Sequence, residues 1–311
     1  MNILITGGGG YIGTELVKVL SKKHNISVID KFIFKTELPD NVAIYNKDIR
    51  EINNVKDYDT VIHLAGLVGT PSCHLDINKT IEINFLASSN IAEICKRDNA
   101  KLIFASSSVV YGEQPGEYLD ETSRTVPFSL YGLTKLAAEN SIMKLADDNF
   151  KPILFRKGSL FGLGNRMRFD LFVNLFIAKG ILNESITVFG GNQWKPCIHI
   201  LDVCDAYQKA ITSGEYGIFN LGGVNYRIID IANIIKKEFD ININISEKDL
   251  YDKRDYKISS DKAGNYLGIK FDRDIKFAIN EIKEAFDKNL IKDYNDPKYN
   301  NYKWLKEIQL K

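Results

Sequence analysis

The 311-residue chain is 44% hydrophobic, enough apolar material for one large domain or two lobes. Its 41 lysines and arginines stand against 40 aspartates and glutamates, which excludes the general basic field that binds nucleic acid or an anionic membrane. An anionic ligand must therefore be held by a few placed cations.

Cys73, Cys95, Cys197 and Cys204 have no C-x-x-C spacing and do not cluster with the four histidines, so neither a metal site nor a disulfide framework is expected. The chain enters at once into the strand-like Asn2-Ile-Leu-Ile-Thr6 without a signal-peptide pattern. Its apolar runs are too short to span a bilayer. These features predict a soluble, cytoplasmic protein with no nucleic-acid or membrane partner.

In chain order, residues 3–6, 27–30, 42–45, 60–65, 101–106 and 152–156 read as strands, several of them apolar on both faces as inside a parallel sheet. Residues 11–22, 79–97 and 129–149 read as helices between them. Successive β–α units predict an α/β fold, a Rossmann-type doubly wound parallel sheet with ligands outside the carboxyl ends of its strands. After residue 157 the pattern becomes irregular, as a smaller C-terminal lobe would be. There, 169–179, 202–212 and 228–238 look helical, and 186–189 and 217–221 strand-like. The tail 287–311 is polar and rich in Lys, Asn and Tyr, and no element is assigned to it. The expected division is a dinucleotide-binding domain over 1–156, with returning segments near 197–222, and a substrate-binding lobe over 157–196 and 223–311.

Between the first strand and the first helix, Thr6-Gly-Gly-Gly-Gly-Tyr-Ile-Gly13 places Gly7, Gly10 and Gly13 in G-x-x-G-x-x-G spacing. Side chains there would block the backbone's approach to a pyrophosphate, and the helix N-terminus offers free N–H groups and a favourable dipole. Asp30 ends the second strand, where a carboxylate accepts hydrogen bonds from ribose hydroxyls and repels a 2′-phosphate, favouring NAD over NADP. Lys31 beside it softens that preference.

Ser106-Ser-Ser-Val-Val-Tyr-Gly112 follows the strand 101–106, so its hydroxyls should emerge at the carboxyl edge of the sheet. Tyr131 and Lys135 lie one helical turn apart, and an ammonium beside a phenol lowers the phenol's pKa toward neutrality. Serine, tyrosine and lysine together suit proton transfer to an alcohol or ketone oxygen.

With these motifs the chain resembles an extended short-chain dehydrogenase/reductase of the nucleotide-sugar epimerase/dehydratase family, along nearly its whole length from the opening glycines to Arg254-Asp-Tyr256. The resemblance implies an NAD site formed by Gly7, Gly10, Tyr11, Ile12 and Gly13 at the pyrophosphate and by Asp30 with Lys31 at the ribose. Asp48 and Ile49 would lie at the adenine, and Leu64, Ala65 and Gly66 along the cofactor. It implies Ser107 as the catalytic hydroxyl, with Ser106 the near alternative. Tyr131 would be the acid/base, and Lys135 would hold the nicotinamide ribose and depress the tyrosine pKa. Ser107, Ser108, Ser159, Arg168, Asn174, Lys195 and Arg254 would contact a nucleotide-diphosphate sugar. A homodimer is implied as well, through the helices at 79–97 and 129–149. His199 reads as a packed or helix-capping residue. Cys73 could line the pocket, but no basic partner beside it makes it a nucleophile.

Two departures narrow the chemistry. Related 4,6-dehydratases carry an Asp-Glu pair after the catalytic hydroxyl, where this chain has Ser108 and Val109. Enzymes resembling GDP-fucose synthase place a cysteine at the position of Val109, and valine transfers no proton. A 4-epimerase working through a transient 4-keto sugar is therefore expected. A 4-keto reductase or 4-dehydrogenase and a non-catalytic NAD-binding scaffold remain as alternatives.

Overall fold

Two-residue periodicity sends alternate strand residues to opposite faces of the central sheet. Ile3, Ile5, Val28, Ile103, Phe155 and Phe219 join one buried cluster, whereas Leu4, Val61, Leu102, Phe104 and Leu154 join another. Strands buried on both faces this way belong in a parallel sheet covered by helices. The computed structural model describes residues 1–246 and 254–309.

The strands are β1 (Asn2–Thr6), β2 (Asn25–Asp30), β3 (Ala43–Asn46), β4 (Thr60–His63), β5 (Lys101–Ser107), β6 (Tyr118–Leu119) and β7 (Ile153–Lys157). They continue as β8 (Ser159–Phe161), β9 (Ile186–Phe189), β10 (Trp194–His199), β11 (Gly217–Leu221), β12 (Val224–Arg227), β13 (Ile243–Ser246) and β14 (Lys257–Ile258). Among the described residues seven strands form one sheet, ordered β3-β2-β1-β4-β5-β7-β11, with every neighbouring pair parallel. The order reverses between β1 and β4, which opens a crevice at their carboxyl ends.

The helices of the first half are α1 (Tyr11–Leu20), α2 (Thr70–Cys73), α3 (Ile77–Ile81), α4 (Ser88–Arg97) and α5 (Leu130–Lys144). They are followed by α6 (Phe172–Ile181), α7 (Ile200–Thr212), α8 (Ile228–Phe239), α9 (Asp261–Leu267), α10 (Ile275–Asp287) and α11 (Asn301–Gln309). Leu16, Val17 and Leu20 of α1 and Val203, Tyr207 and Ala210 of α7 cover one face of the sheet. Ile91 and Ile94 of α4 and Ala138 and Ile142 of α5 cover the other. Burying each large aliphatic side chain stabilises the fold by about 1.5–3 kcal/mol. A third cluster, including Phe176 and Ile177 of α6, Ile231 and Ile235 of α8 and Ile279 and Ile282 of α10, lies under the small sheet β12-β10-β8.

The structure adds α9 and α10 in a stretch where no element is expected, and departs from the sequence expectation in two further places. The helix expected at 79–97 is interrupted by a π-turn at Glu82–Ala87 between α3 and α4. That extra residue turns Asn84 fully inward, where its side chain accepts from Leu67 N and donates to Leu67 O, both at 2.8 Å. The tail left unassigned holds a single turn at Pro297–Tyr299 and then α11. Trp304 anchors this helix, its indole N–H donating to Ile33 O at 2.6 Å.

Candidate active site

Gly7 adopts φ +77°, and a Cβ there would meet Ala65 N at 2.6 Å. A Cβ on Gly13 would stand 2.3 Å from Gly7 O, so β1, the turn and α1 pack backbone against backbone. Gly10 caps α1 without a side-chain hydrogen bond, leaving the helix N-terminus open to an anion. Asp30 ends β2, and its carboxylate accepts from Gly9 N at 2.9 Å and Phe32 N at 2.8 Å. Burial raises its pKa, and those two N–H groups oppose the rise. Asp48 accepts from Arg50 Nε at 3.0 Å and Nη2 at 2.9 Å and from Lys31 Nζ at 3.3 Å. Chiefly through the Arg50 contact, its pKa is held well below the usual carboxylate range. This cradle, with a carboxylate at the ribose position, fits a dinucleotide.

The catalytic candidates meet where β5 ends and α5 begins. The Ser106 hydroxyl donates to Glu139, while the Ser107 hydroxyl lies near enough to Tyr131 to lower the phenol's pKa, which favours Ser107 over Ser106. Ser129 caps α5, its hydroxyl accepting from Gly132 N at 3.1 Å, and so sets Tyr131 in the first turn. Tyr131 is pushed up to about 12 by burial, with the Cys73 thiol adding to the shift. The Ser107 hydroxyl and the positive Arg168 and Arg254 pull it down. The cations that lower Tyr131 are these two arginines rather than the expected Lys135, which burial itself pushes down to about 8, against Cys73 and Glu139. Its Nζ lies 4.8 Å from the centre of the Phe104 ring, on the side of Gly66.

One cleft of about 770 Å³ is lined by all but one of the residues assigned to the catalytic step, the cofactor or the substrate, whereas Cys73, which could have lined it, is fully buried behind the lining. On its cofactor side are Gly7, Gly10, Tyr11, Ile12, Gly13, Asp30, Lys31, Asp48, Ile49, Leu64, Ala65 and Gly66, and beyond them Ser107, Ser108, Tyr131, Lys135, Ser159, Arg168, Lys195 and Arg254. The exception is Asn174, which is fully buried away from the cleft. Its amide oxygen accepts from Gly162 N at 2.9 Å, and its NH₂ donates to Arg168 O at 2.9 Å and to the Tyr11 hydroxyl at 3.2 Å. Asn174 braces the loop after β8 against α1, and the substrate contact expected of it is corrected accordingly. Arg168 is paired with Asp170 at 2.8 and 2.9 Å. His199 accepts from Leu201 N at 3.2 Å as the cap of α7, and its Nε2 lies 2.8 Å from Glu281 Oε1.

Sequence reasoning gave no individual role to Arg166, Lys157 or the chain's last helix, all of which line the cleft. Arg166 stacks 3.6 Å from the centre of the Phe34 ring and donates to Asn301 Oδ1 at 2.6 Å. Lys157 ends β7 inside the cleft. Leu305 and Ile308 bring α11 over it. An arginine two residues before Arg168 and a lysine at a strand's carboxyl end were the available signals; nothing local announced α11.

Such a site belongs to an enzyme that moves a hydride between a bound dinucleotide and an alcohol carbon while a phenol handles the proton. Residues 3–222 match the NAD dependent epimerase/dehydratase family; the chain belongs to that family, and its cofactor is NAD. It is 30% identical over 301 residues, 90% of this chain and 96% of the relative, to a Methanocaldococcus jannaschii protein named "Putative UDP-glucose 4-epimerase". It is 27% identical to UDP-glucuronic acid decarboxylase 1 of Xenopus tropicalis, over 76% of this chain and 59% of the relative. Among solved structures, the UDP-N-acetylglucosamine 4-epimerase of Methanobrevibacter ruminantium, in complex with UDP-N-acetylmuramic acid, superposes with TM-score 0.84. That match has 25% identity and covers 93% of this chain and 98% of the other. The Thermotoga maritima UDP-glucose 4-epimerase, at 22% identity, TM-score 0.83 and coverage of 94% and 100%, shares the fold.

Proposed function

We propose that the protein is a nucleotide-sugar 4-epimerase, oxidising C4 of its substrate to a transient ketone and reducing it again from the opposite face. The observation that carries this reading is the setting of Tyr131. Ser107 lies near enough to lower its pKa, and Val109 and the buried Cys73 form its walls. Burial pushes the Cys73 thiol up to about 11, and the thiol donates to Leu67 O at 3.4 Å. Tyr131 is left to exchange a proton with an alcohol oxygen, since Ser108 and Val109 occupy the positions where a dehydratase carries its acid/base pair.

In this mechanism Ser107 orients the C4 hydroxyl, and Tyr131 takes its proton as the phenolate, the form that Ser107, Arg168 and Arg254 favour against burial. NAD supplies the hydride acceptor and, on return, the donor. Lys135 steadies the cofactor side of Tyr131, and Tyr131 returns its proton when the ketone is reduced. Lys195 and Arg254, with Ser159 as a shorter donor, hold the diphosphate, and Ser108 contacts the sugar. Internal recycling is supported by α11, whose Leu305 and Ile308 close over the cleft and favour cofactor retention.

The lobe that receives the nucleotide sugar comprises 157–196 and 223–311, with 1–156 and the returning 197–222 as the dinucleotide-binding domain. A homodimer is supported by exposed Ile77, Ile81 and Leu86 around α3 and by Phe128 and Leu133 at the start of α5. Among the described residues no helix is long and apolar enough to cross a membrane, and all four cysteines are free, which suits a cytoplasmic enzyme.

Purification without added cofactor, followed by NMR of UDP-, dTDP- and GDP-sugars, tests the proposal. Bound NAD and epimer formation without added cofactor are expected. Consumption of external NADH by a 4-keto nucleotide sugar, with no epimer formed, would replace it with a reductase.

A further inference from the structure

Lys157 is a buried amine that the reaction just described does not use. It ends β7 as the register partner of Ser107 on β5, so the two side chains start from adjacent positions at the sheet's carboxyl edge. It lines the cleft and is 7% exposed. Its Nζ donates to Ser106 O at 2.8 Å. An ammonium has three donors, so this contact leaves two for a ligand.

Among the described residues Lys157 forms no ion pair. The carboxylate whose charge most supports it, Glu139, is already bound by Arg156 through two nitrogens. Burial pushes the Lys157 amine well below the ordinary lysine range, and the charge of Lys135 adds to the shift. Lys135, Arg156 and Lys157, all buried, thus share the single carboxylate of Glu139, an excess of positive charge that destabilises the empty chain. Stable folds keep such a group where a ligand completes it.

We propose that Lys157 is the specificity-determining residue of the sugar site and pairs with a carboxylate, so that the substrate is a nucleotide-linked uronic acid rather than a neutral hexose. The proposal rests on the nucleotide-sugar reading above. Its place beside Ser107, whose hydroxyl serves the reacting oxygen, puts Lys157 at the sugar ring. The diphosphate, attached across the ring at C1, has Lys195 and Arg254. A sugar hydroxyl would accept a hydrogen bond from Lys157 but would leave the repulsion from Lys135 unrelieved. A carboxylate relieves both through charge-assisted hydrogen bonds.

The test is calorimetric titration of NAD-loaded enzyme with UDP-glucuronate and with UDP-glucose. The native protein should bind the uronate at least about tenfold tighter, the increment of one charge-assisted contact. In Lys157→Met the ratio should fall to within about twofold of unity, and Lys157→Arg should keep most of it. A native ratio near one, or a ratio unchanged in Lys157→Met, overturns the assignment. A purely structural role would weaken both ligands together and leave the ratio alone. Should Lys157→Met fail to fold, the native and Lys157→Arg ratios still decide. NMR turnover with the same two sugars separates this inference from the epimerase reading. Uronate-selective binding without epimer formation keeps Lys157 and removes the epimerase; epimerisation with no selectivity does the reverse.

Discussion

Glu139 and Arg156 form a two-pronged ion pair between α5 and β7, Oε2 accepting from Nη2 at 2.7 Å and from Nε at 3.1 Å, with side chains 1% and 5% exposed. The Ser106 hydroxyl donates to the same carboxylate, and Arg156 Nη1 donates to the Tyr111 hydroxyl at 3.1 Å. Tyr111 in turn donates to Asn220 Oδ1 at 2.8 Å. The helix carrying Tyr131 and Lys135 is thereby tied to β5, β7 and β11 beneath the catalytic groups. Removing one partner leaves the other charge buried and alone. Glu139→Ala should destabilise the fold by about 3–5 kcal/mol in urea unfolding, whereas Glu139→Leu with Arg156→Met should recover most of that loss. Equal losses in the single and double variants would contradict this account.

Tyr131→Phe removes the proton-handling hydroxyl and keeps the ring that packs against Val109 and Cys73. Turnover should fall about 10²–10⁴-fold with NAD content unchanged, read by steady-state kinetics and by cofactor released on denaturation. Undiminished turnover would end the assignment of Tyr131.

Lys135 titrates near 8 in the folded chain, lowered by burial from the ordinary 10.5. From pH 8 to 10.5 the unfolded chain holds a proton that the folded chain has released, so this group's contribution to stability rises with pH across that window. Below pH 8 the folded protein carries the full penalty of a buried charge. Lys135→Met should therefore abolish turnover yet stabilise the fold at pH 7 by up to about 3 kcal/mol, the gain shrinking toward pH 10. Denaturant midpoints at the two pH values measure it, and a gain independent of pH would count against it.

Gly13→Ala would drive a Cβ into Gly7 O at 2.3 Å and Gly8 Cα at 2.7 Å, backbone atoms that cannot rotate away. The N-terminus of α1 must shift, costing about 1–3 kcal/mol of stability and spoiling the pyrophosphate cradle. At least a tenfold loss of NAD affinity, on the order of one or two lost backbone contacts, is expected in fluorescence titration. Native affinity in this variant would show that the turn does not hold the cofactor.

The α/β succession and the cofactor half of the cleft were readable from local patterns, because each depends on a few neighbouring residues. Glycine spacing after β1, a carboxylate at the end of β2 and a four-residue step from Tyr131 to Lys135 are all short-range. Asn174 misled because its position in the chain matches a ligand contact, while its burial depends on Tyr11, 163 residues away. The tail misled because Trp304, Leu305 and Ile308 are diluted by polar residues. Helix α11 becomes stable by docking on the loop after β2, where Trp304 meets Ile33.

By itself, then, the sequence determined the doubly wound class, the preference for a dinucleotide and the alcohol–ketone chemistry, since period, turn residues and side-chain type act locally. Only the tertiary structure decided the electrostatics. Burial opposed the ionised form of each group, leaving the Tyr131 phenol near 12 and the Lys135 amine near 8. It also placed Lys157 beside Ser107, through a parallel register joining residues 50 apart in the chain. Desolvation and strand pairing depend on everything that surrounds a group in space, and no neighbouring stretch of sequence encodes that.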